Sequence, residues 1–151
     1  MINKFRGKYD FLSNFYSLQK YVCLTGDKRW YPTTEHAFQA AKSNDEAYRD
    51  LILTVSAGES KRLGKLCKLR EDWEEVKYSI MHRLVFLKFL FNKKLREQLL
   101  ATGDEELVEG NTWCDIWWGK CNCKKHNGIG ENKLGEILMK VREQLRNHNE
   151  G

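Results

Sequence analysis

The residue types best suited to chemistry lie in the stretch 31–42, which reads Tyr-Pro-Thr-Thr-Glu-His-Ala-Phe-Gln-Ala-Ala-Lys. Pro32 suits the start of a helix, where its missing N–H is not needed. Either Thr33 or Thr34 can cap the free amides of the first turn. The stretch therefore predicts a helix that begins just after Pro32.

Three polar side chains of this predicted helix share one face. Glu35, Gln39 and Lys42 recur at i, i+4 and i+7, so a carboxylate, an amide and an amine form one stripe. Glu35 and Lys42 are about 10 Å apart along the axis, given the rise per residue of an α-helix. Their side chains can converge on a group between them. The same spacing is also typical of a solvent-exposed polar face.

A second informative stretch, 109–119, alternates acidic residues and tryptophans in a predicted loop. Tryptophan is costly to expose, so the rings either pack in the core or hold a planar ligand. Asp115 precedes Trp118 by three residues and either caps a turn or faces a ligand. The residues alone leave both alternatives open.

Cysteine and histidine residues near Cys114 raise the question of a metal. They have the pattern Cys121-x-Cys123-x-x-His126. Zinc sites normally take their ligands in pairs from two places, with wider spacing between the cysteines. Because no second pair is evident, we predict buried or incidental thiols, no obligatory metal and no cofactor.

The glycines at 128 and 130 precede a predicted helix that runs from Asn132 to about Arg146. Their spacing is not that of a dinucleotide-binding fingerprint, and no strand precedes them. The free N–H groups at the start of the helix can hold a phosphate. The simpler interpretation is a loop followed by a helix cap.

Composition sets broad limits on the protein. Its 151 residues, 41% hydrophobic, predict a single domain with a sizeable core. No segment approaches the roughly 20 apolar residues of a membrane span, and residues 1–5 lack the apolar core of a signal peptide. Five cysteines fit reduced thiols, so we expect a cytoplasmic protein. The net charge of +5 is compatible with a phosphate-bearing ligand or with nucleic acid.

Periodicity and capping signals predict a mainly α fold with a small β element (α+β), compact and multihelical. The predicted elements are an irregular or extended segment 5–16, a hairpin of 21–24 with 29–31, helices near 44–54, 57–67, 72–91, 93–101 and 132–146, a short strand 107–109 and a frayed tail 147–151. The helices at 44–54 and 57–67 each follow a Ser-x-x-Glu capping box.

The longest apolar period in the chain lies between Asp72 and Phe91. Its stripe consists of Val76, Ile80, Leu84, Leu87 and Phe91, with Met81 and Phe86 beside it. Recurrence at three- and four-residue steps is typical of a helix that packs one face on a core. We therefore predict that 72–91 is the most buried helix.

Five groups of residues follow one another along nearly the whole chain. They are Phe5-Arg6-Gly7 with Phe11-Leu12-Ser13-Asn14-Phe15-Tyr16, the stretch 31–42, Leu69-Arg70-Glu71-Asp72-Trp73 with Met81, Asp115-x-x-Trp118-Gly119, and Gly130-x-Asn132-x-x-Gly135. In this order and spacing they resemble the YbiA-like, or NADAR, family. The Trp117-Trp118 doublet and the cysteine-rich segment 121–126 make the loop after Asp115 longer than in the simplest members.

The resemblance implies a compact, mostly helical fold with a small β element and the activity of an N-glycosidase. Some members of the family cleave ribosylaminopyrimidine phosphates of the riboflavin pathway, and others remove ADP-ribose from the amino group of guanine. The expected partners are therefore a phosphorylated ribosylamine or an ADP-ribosyl substrate, including ADP-ribosylated DNA or RNA, and no membrane. The oligomeric state is left open.

The family's motifs also imply which residues form the site. Glu35 and Asp115 are candidates for the anionic catalytic roles, and Lys42 is the candidate nucleophile. Trp118 is expected to stack on the base. The remaining expected substrate contacts, assigned by motif position, are Arg6 for a phosphate and Ser13, Asn14, Phe15, His36, Gln39 and Asn132.

Two routes can break a bond between ribose C1 and an exocyclic amine. In the first, the amine departs from an oxocarbenium-like C1 and water attacks. In the second, the ribosylamine opens to an imine and Lys42 captures C1 as a Schiff base. Two rival functions also stay open at this point: a module that binds ADP-ribose or NAD without turnover, and a nucleic-acid-binding adaptor.

Overall fold

The computed structural model describes residues 1–150, and includes side chains up to residue 148. Two compact units are present: Asn14–Asn92 forms one, and Met1–Ser13 with the chain from Lys93 onward forms the other. We call them the central unit and the terminal unit. That the chain is one domain stays a prediction.

The central unit contains four α-helices. They are α1 (Thr34–Ala41), α2 (Glu46–Ile52), α3 (Ala57–Leu66) and α4 (Trp73–Phe91). Before them, Val22 and Tyr31 form a single antiparallel bridge with N···O distances of 3.1 and 2.7 Å. The turn at Gly26, whose φ is 75°, needs a left-handed residue. The predicted hairpin is thus present, but with one bridged pair instead of two strands.

Helix α1 begins where Thr33 caps it, because Thr33 Oγ1 accepts a hydrogen bond from the His36 amide at 3.0 Å. All eight residues of α1 are buried. The interpretation of its polar stripe as a solvent-exposed surface is therefore wrong. Polar side chains that are buried inside a fold need hydrogen-bond partners, and α1 carries several such side chains.

Helix α3 has the predicted cap, whereas helix α2 has a different one. Ser56 Oγ accepts from the Glu59 amide at 3.1 Å, as its capping box predicts. Helix α2 is capped by Asp45, whose Oδ1 accepts from the Ala47 amide at 3.2 Å. The prediction of Ser43 as the cap is wrong by two residues, because Ser43 Oγ instead accepts from the Asp45 amide.

Helix α4 has the predicted length, but it is not the most buried helix. Leu84 is fully buried, whereas Phe91 from the same predicted stripe is 38% exposed. Val85, Lys88 and Phe89 are buried in its place. The buried face of α4 therefore differs from the predicted stripe. Helix α1, whose eight residues are all buried, is the more buried of the two helices.

The terminal unit combines helices with a minimal sheet. A 3-10 helix spans Gly7–Leu12, and the other elements are α5 (Lys93–Ala101), β1 (Gly110–Asn111), β2 (Lys120–Cys121) and α6 (Lys133–Glu150). The 3-10 helix replaces the irregular or extended segment predicted for 5–16. The mainly α fold with a small β element is confirmed.

Strands β1 and β2 pair in parallel, with Gly110 opposite Lys120. The strand predicted at 107–109 is instead a single parallel bridge between Leu107 and Ile2. A further antiparallel bridge joins Cys121 to Ile129. The β1–β2 pairing and the Cys121–Ile129 bridge tie the irregular segment 110–130 to itself.

Helix α6 packs through an apolar stripe, as its period predicts. Its buried side chains include Leu134, Ile137, Leu138, Val141 and Leu145. The helix continues to Glu150; fraying of the tail from Asn147 stays a prediction, and Gly151 lies outside the described residues. Across residues 1–150, no helix has both the length and the apolar composition to cross a membrane.

Candidate functional site

Glu35 and Gln39 form a buried hydrogen-bonded pair on α1. Gln39 Nε2 donates to Glu35 Oε1 at 2.6 Å, and the two residues are only 3% and 6% exposed in that order. The contact fixes the orientation of the amide, since a carboxylate oxygen needs a donor. Gln39 Oε1 is left buried without a hydrogen-bond partner. A buried acceptor of this kind is available to a hydroxyl or amino group of a ligand.

Helix α3 approaches this pair at Gly64. A Cβ built on Gly64 would lie 1.8 Å from Gln39 Oε1 and 3.3 Å from Lys42 Nζ. The Gln39 carbonyl oxygen and the Lys42 amine therefore face the same point on α3. Sequence reasoning missed Gly64, because a single glycine inside a helical period carries no signal of what it packs against.

Lys42 is half-buried at the C-terminal end of α1. Burial lowers the pKa of its amine, and the nearby charge of Glu35 raises it in part, as does Cys67. The net effect is a lowered pKa, because the charged form loses solvation. A lowered pKa increases the fraction of neutral amine, which is the nucleophilic form.

An open cleft of about 800 Å³ lies in the central unit, and its lining begins one residue after Lys42. The carbonyl of Lys42 accepts a hydrogen bond from the Arg70 amide at 2.7 Å, and Arg70 lines the cleft. The other lining residues are Ser43, Asn44, Asp45, Tyr48, Cys67, Lys68, Leu69, Glu71 and Asp72. Tyr48, Cys67 and Arg70 are absent from the residues predicted for the site, although Arg70 lies in one of the family motifs.

His36 lies on α1 but uses both ring nitrogens within the protein. Its Nδ1 is 2.8 Å from Thr33 Oγ1 and its Nε2 is 2.7 Å from the Val55 carbonyl oxygen. Asn14 also has protein contacts: its carbonyl accepts from the Glu35 amide at 3.0 Å, and its Nδ2 lies 3.5 Å from Met81 Sδ. These contacts indicate positioning of α1, and substrate contacts by His36 and Asn14 stay predictions.

The remaining substrate contacts predicted near the N-terminus are Phe15, Arg6 and Ser13. Phe15 is exposed in the central unit. Arg6 is exposed and Ser13 is half-buried in the terminal unit. Their predicted contacts with substrate stay predictions.

Asp115 caps a turn in the terminal unit. Its Oδ1 accepts hydrogen bonds from the Trp117 and Trp118 amides at 3.2 and 2.9 Å. The two indole rings meet edge to face, with centroids 4.4 Å apart. Asn111 Nδ2 donates to the Asp115 carbonyl at 2.8 Å. The turn-capping interpretation is confirmed, and a catalytic role of the remaining carboxylate oxygen stays a prediction.

Asn132 links two segments of the terminal unit. Its Oδ1 accepts from the Glu109 amide at 2.9 Å, and its Nδ2 donates to the Leu107 carbonyl at 3.0 Å. Its backbone has φ of 53°, a left-handed conformation that asparagine tolerates better than most residues. Asn132 is thus a structural residue, and its predicted substrate contact stays a prediction.

The cysteine-rich segment is arranged differently from expectation. One ligand atom from each of Cys114, Cys121, Cys123 and His126 lies within 4.8 Å of the others. The prediction of no obligatory metal rested on the absence of a second pair of ligands. The structure adds one ligand to the three of the segment, because Cys114 is folded back onto it, and whether a metal is bound stays a prediction.

The structure thus groups the predicted residues by unit. Glu35, Gln39 and Lys42 are brought together on α1, against α3. Asp115 and Trp118 are brought together in the loop 110–130. Of these, the α1 group has the features of a reactive centre: a buried carboxylate, an unpartnered acceptor and an amine of lowered pKa.

The chain is similar to known proteins of one family. The NADAR domain model matches residues 3–146. The N-glycosidase YbiA of Escherichia coli strain K12 is 42% identical over 122 residues, which cover 79% of this chain and 73% of that protein. The N-glycosidase Npun_R5314 of Nostoc punctiforme is 44% identical over 124 residues, covering 78% and 76%.

Two further matches extend the comparison. The riboflavin biosynthesis protein VVA0006 of Vibrio vulnificus is 37% identical over 143 residues, covering 93% of this chain but 36% of that protein. The NMR structure of E. coli YbiA superposes with a TM-score of 0.79 at 37% identity, covering 99% of this chain and 87% of the other. The chain therefore belongs to the NADAR domain family.

Proposed function

We propose that the protein is an N-glycosidase, a hydrolase that cleaves the bond between ribose C1 and an exocyclic amine. The observation that carries the proposal is the Lys42 amine of lowered pKa at the end of the helix that buries Glu35 and Gln39. Relatives named as N-glycosidases support the reaction class. A polar stripe on a surface helix would provide neither a buried carboxylate nor a buried amide.

Lys42 is proposed to act as a covalent nucleophile. The ribosylamine opens when the C1–O4 bond breaks, which gives an imine between C1 and the base nitrogen. The Lys42 amine adds to C1, and departure of the base amine leaves a Lys42 imine. Water then adds to C1 and expels Lys42, which yields the open-chain sugar. In sum, one water is consumed and one amine and one ribose are released.

Glu35 is proposed to move the protons of this sequence. Its carboxylate can take a proton from the attacking Lys42 amine and give one to the departing base nitrogen. The hydrogen bond from Gln39 Nε2 holds one carboxylate oxygen in place. Gln39 Oε1 lacks a protein partner and is proposed to accept from a sugar hydroxyl. Direct water attack on an oxocarbenium-like C1 is the alternative route, and it needs Glu35 but no covalent lysine.

The proposed substrates share a ribosylamine and a phosphate. One is a ribosylaminopyrimidine phosphate, which the name of the Vibrio relative favours. The other is ADP-ribose attached to the amino group of guanine, in a nucleotide or in a nucleic acid. The net charge of +5 supports both, because each substrate is anionic. Arg70, in the cleft beside Lys42, is the proposed phosphate contact.

Incubation of the protein with each substrate class tests the proposal. Released base and free sugar are followed by mass spectrometry, and unmodified guanine DNA is the negative control. We expect release from at least one substrate and none from the control. Tight binding of ADP-ribose or NAD without release from either substrate would instead support a binding module. Binding of unmodified DNA with steep salt dependence, again without release, would support a nucleic-acid adaptor.

A further inference from the structure

The loop 110–130 folds so that four potential metal ligands converge. Cys114 Sγ and Cys123 Sγ are 3.8 Å apart, and Cys123 Sγ is 3.1 Å from His126 Nδ1. Cys121 completes the group, and the four ligand atoms all lie within 4.8 Å of one another. These residues belong to the terminal unit and are not used by the proposed reaction.

Two of the separations can be compared with those of a tetrahedral zinc site. Zinc–sulfur bonds of about 2.3 Å place two tetrahedral sulfur ligands about 3.8 Å apart. The Cys114–Cys123 separation of 3.8 Å has this value. The Cys123–His126 contact of 3.1 Å is shorter than the roughly 3.6 Å of a tetrahedral S–N edge, so the imidazole would have to move when metal binds.

Backbone amides point at the most buried sulfur. Cys121 Sγ accepts hydrogen bonds from the amides of Cys114 and Cys123 at 3.3 and 3.4 Å, and Cys121 is fully buried. Hydrogen bonds of this kind, made to a ligand atom, orient the ligands of metal sites.

Cys114 has a backbone conformation that needs explanation. Its φ of 68° lies in the left-handed region, which few residues other than glycine, asparagine and aspartate adopt. A cysteine held there costs free energy. The conformation turns the chain so that the side chain of Cys114 reaches Cys123, nine residues further on.

From this geometry we propose that Cys114, Cys121, Cys123 and His126 form a structural zinc site. Three thiolates and one imidazole are the ligands of a closed, four-coordinate zinc centre. Mg²⁺ and Ca²⁺ prefer oxygen ligands and do not suit this set. Zinc with three thiolates carries a net charge of about −1, and the neighbouring lysines 120, 124 and 125 provide positive charge around it.

The site would act as a clamp on the loop that carries Asp115 and Trp118. Cys114 directly precedes Asp115, and Cys121 follows Trp118 by three residues, so ligands lie on both sides of the capped turn. A metal that joins them removes conformational freedom from the intervening residues. Zinc would therefore stabilise the terminal unit and fix the tryptophan pair, without taking part in the reaction.

Metal content of the full chain, purified under reducing conditions without chelator, tests the proposal. We expect about one equivalent of zinc per chain. Exchange for Co²⁺ should give visible absorption of a tetrahedral ion with thiolate charge-transfer bands. Because Cys114 is exposed and His126 is half-buried, Cys114→Ser and His126→Ala should fold and lose both signals. Cys23→Ser, in the central unit, is the matched control and should keep them.

Thermal unfolding provides a second, independent readout. Chelation should lower the Tm of the wild type and of Cys23→Ser, and should leave the Tm of Cys114→Ser unchanged. A fully reduced wild type that takes up neither added zinc nor Co²⁺ would overturn the proposal. So would a stable Cys114–Cys123 disulfide whose reduction restores no metal binding. Neither readout depends on turnover, so the site can fail while the proposed N-glycosidase function holds.

Discussion

Gln39 Nε2 donates a hydrogen bond to Glu35 Oε1 at 2.6 Å, one helical turn away on the buried helix α1. The contact leaves Gln39 Oε1 as a buried acceptor without a partner. A protein that served only to pack this helix would gain stability by replacing the pair with apolar side chains. The arrangement is better explained by a site in which a ligand completes the hydrogen bonding.

Replacement of Glu35 tests its proposed role in proton transfer. Glu35→Gln keeps the size of the side chain and removes its charge. We expect turnover to fall by about 10²–10⁴-fold, with ligand binding retained. Glu74→Gln is the control, because Glu74 is exposed in the first turn of α4, and it should leave turnover unchanged. Wild-type turnover in Glu35→Gln would remove Glu35 from the mechanism.

Two substitutions of Asp115 separate the effect of its charge from the effect of the turn that it caps. In Asp115→Asn the amide oxygen can still accept the two hydrogen bonds from the Trp117 and Trp118 amides, so we expect an unchanged Tm. If the carboxylate is also an anionic group of the reaction, as the family's motifs imply, turnover should fall by about 10²–10⁴-fold. Asp115→Ala loses both the charge and the cap. Full activity in Asp115→Asn with loss in Asp115→Ala would restrict Asp115 to its structural role.

Gly64 is expected to tolerate no side chain. The Cβ of Gly64→Ala would lie 1.8 Å from Gln39 Oε1, and Gln39 is held by Glu35. We expect a loss of about 1–3 kcal/mol in the free energy of unfolding and a fall in turnover. Gly58→Ala, in the same helix with no atom within 4 Å of its Cβ, should cause neither. Equal free energies of unfolding of the two variants in urea would show that the close approach of α3 to Gln39 does not constrain the site.

Asp27 is a buried carboxylate on which acid stability should depend. Burial by itself would raise its pKa, but hydrogen bonds from Tyr31 and Arg29 and the charge of Arg49 outweigh that effect and lower it. A folded-state pKa below the unfolded value stabilises the protein above the unfolded pKa of about 4. The contribution is lost as the pH falls through the folded-state pKa.

Asp27→Asn should therefore destabilise the protein mainly at neutral pH. We expect a loss of about 1–3 kcal/mol at pH 7, measured by urea unfolding, and a smaller difference from the wild type at about pH 3. Asp104→Asn is the control, because its side chain is 94% exposed. A difference from the wild type that grows toward low pH would contradict the sign of the pKa shift.

The helices of this chain could be predicted from the sequence because their signals are local. Ser56 and the period of α4 depend on residues within a few positions. The buried face of α4 could not be predicted, since Val76 to Phe91 is apolar over so wide an arc that many faces could pack. Leu84 is enclosed and Phe91 is not, a distinction that depends on neighbours distant in sequence.

The site was predictable in part for the same reason. Glu35, Gln39 and Lys42 share a face because they share a helix, and their spacing shows it. Their burial could not be read from the stripe, because a polar stripe is usually solvent-exposed. Gly64 and the approach of Cys114 to Cys123 arise only when distant segments meet, and irregular loops have no period from which such contacts can be inferred.

The proposed covalent role of Lys42 is tested most directly by borohydride trapping during turnover, followed by peptide mass spectrometry. We expect one sugar adduct on Lys42 in the wild type, and none in Lys42→Arg, which keeps the charge but cannot form an imine at neutral pH. Lys61→Arg, which replaces another lysine whose charge acts on Lys42, is the control and should still be trapped at Lys42. Full activity of Lys42→Arg, or an active wild type that yields no adduct, would contradict the Schiff-base route and leave direct attack by water.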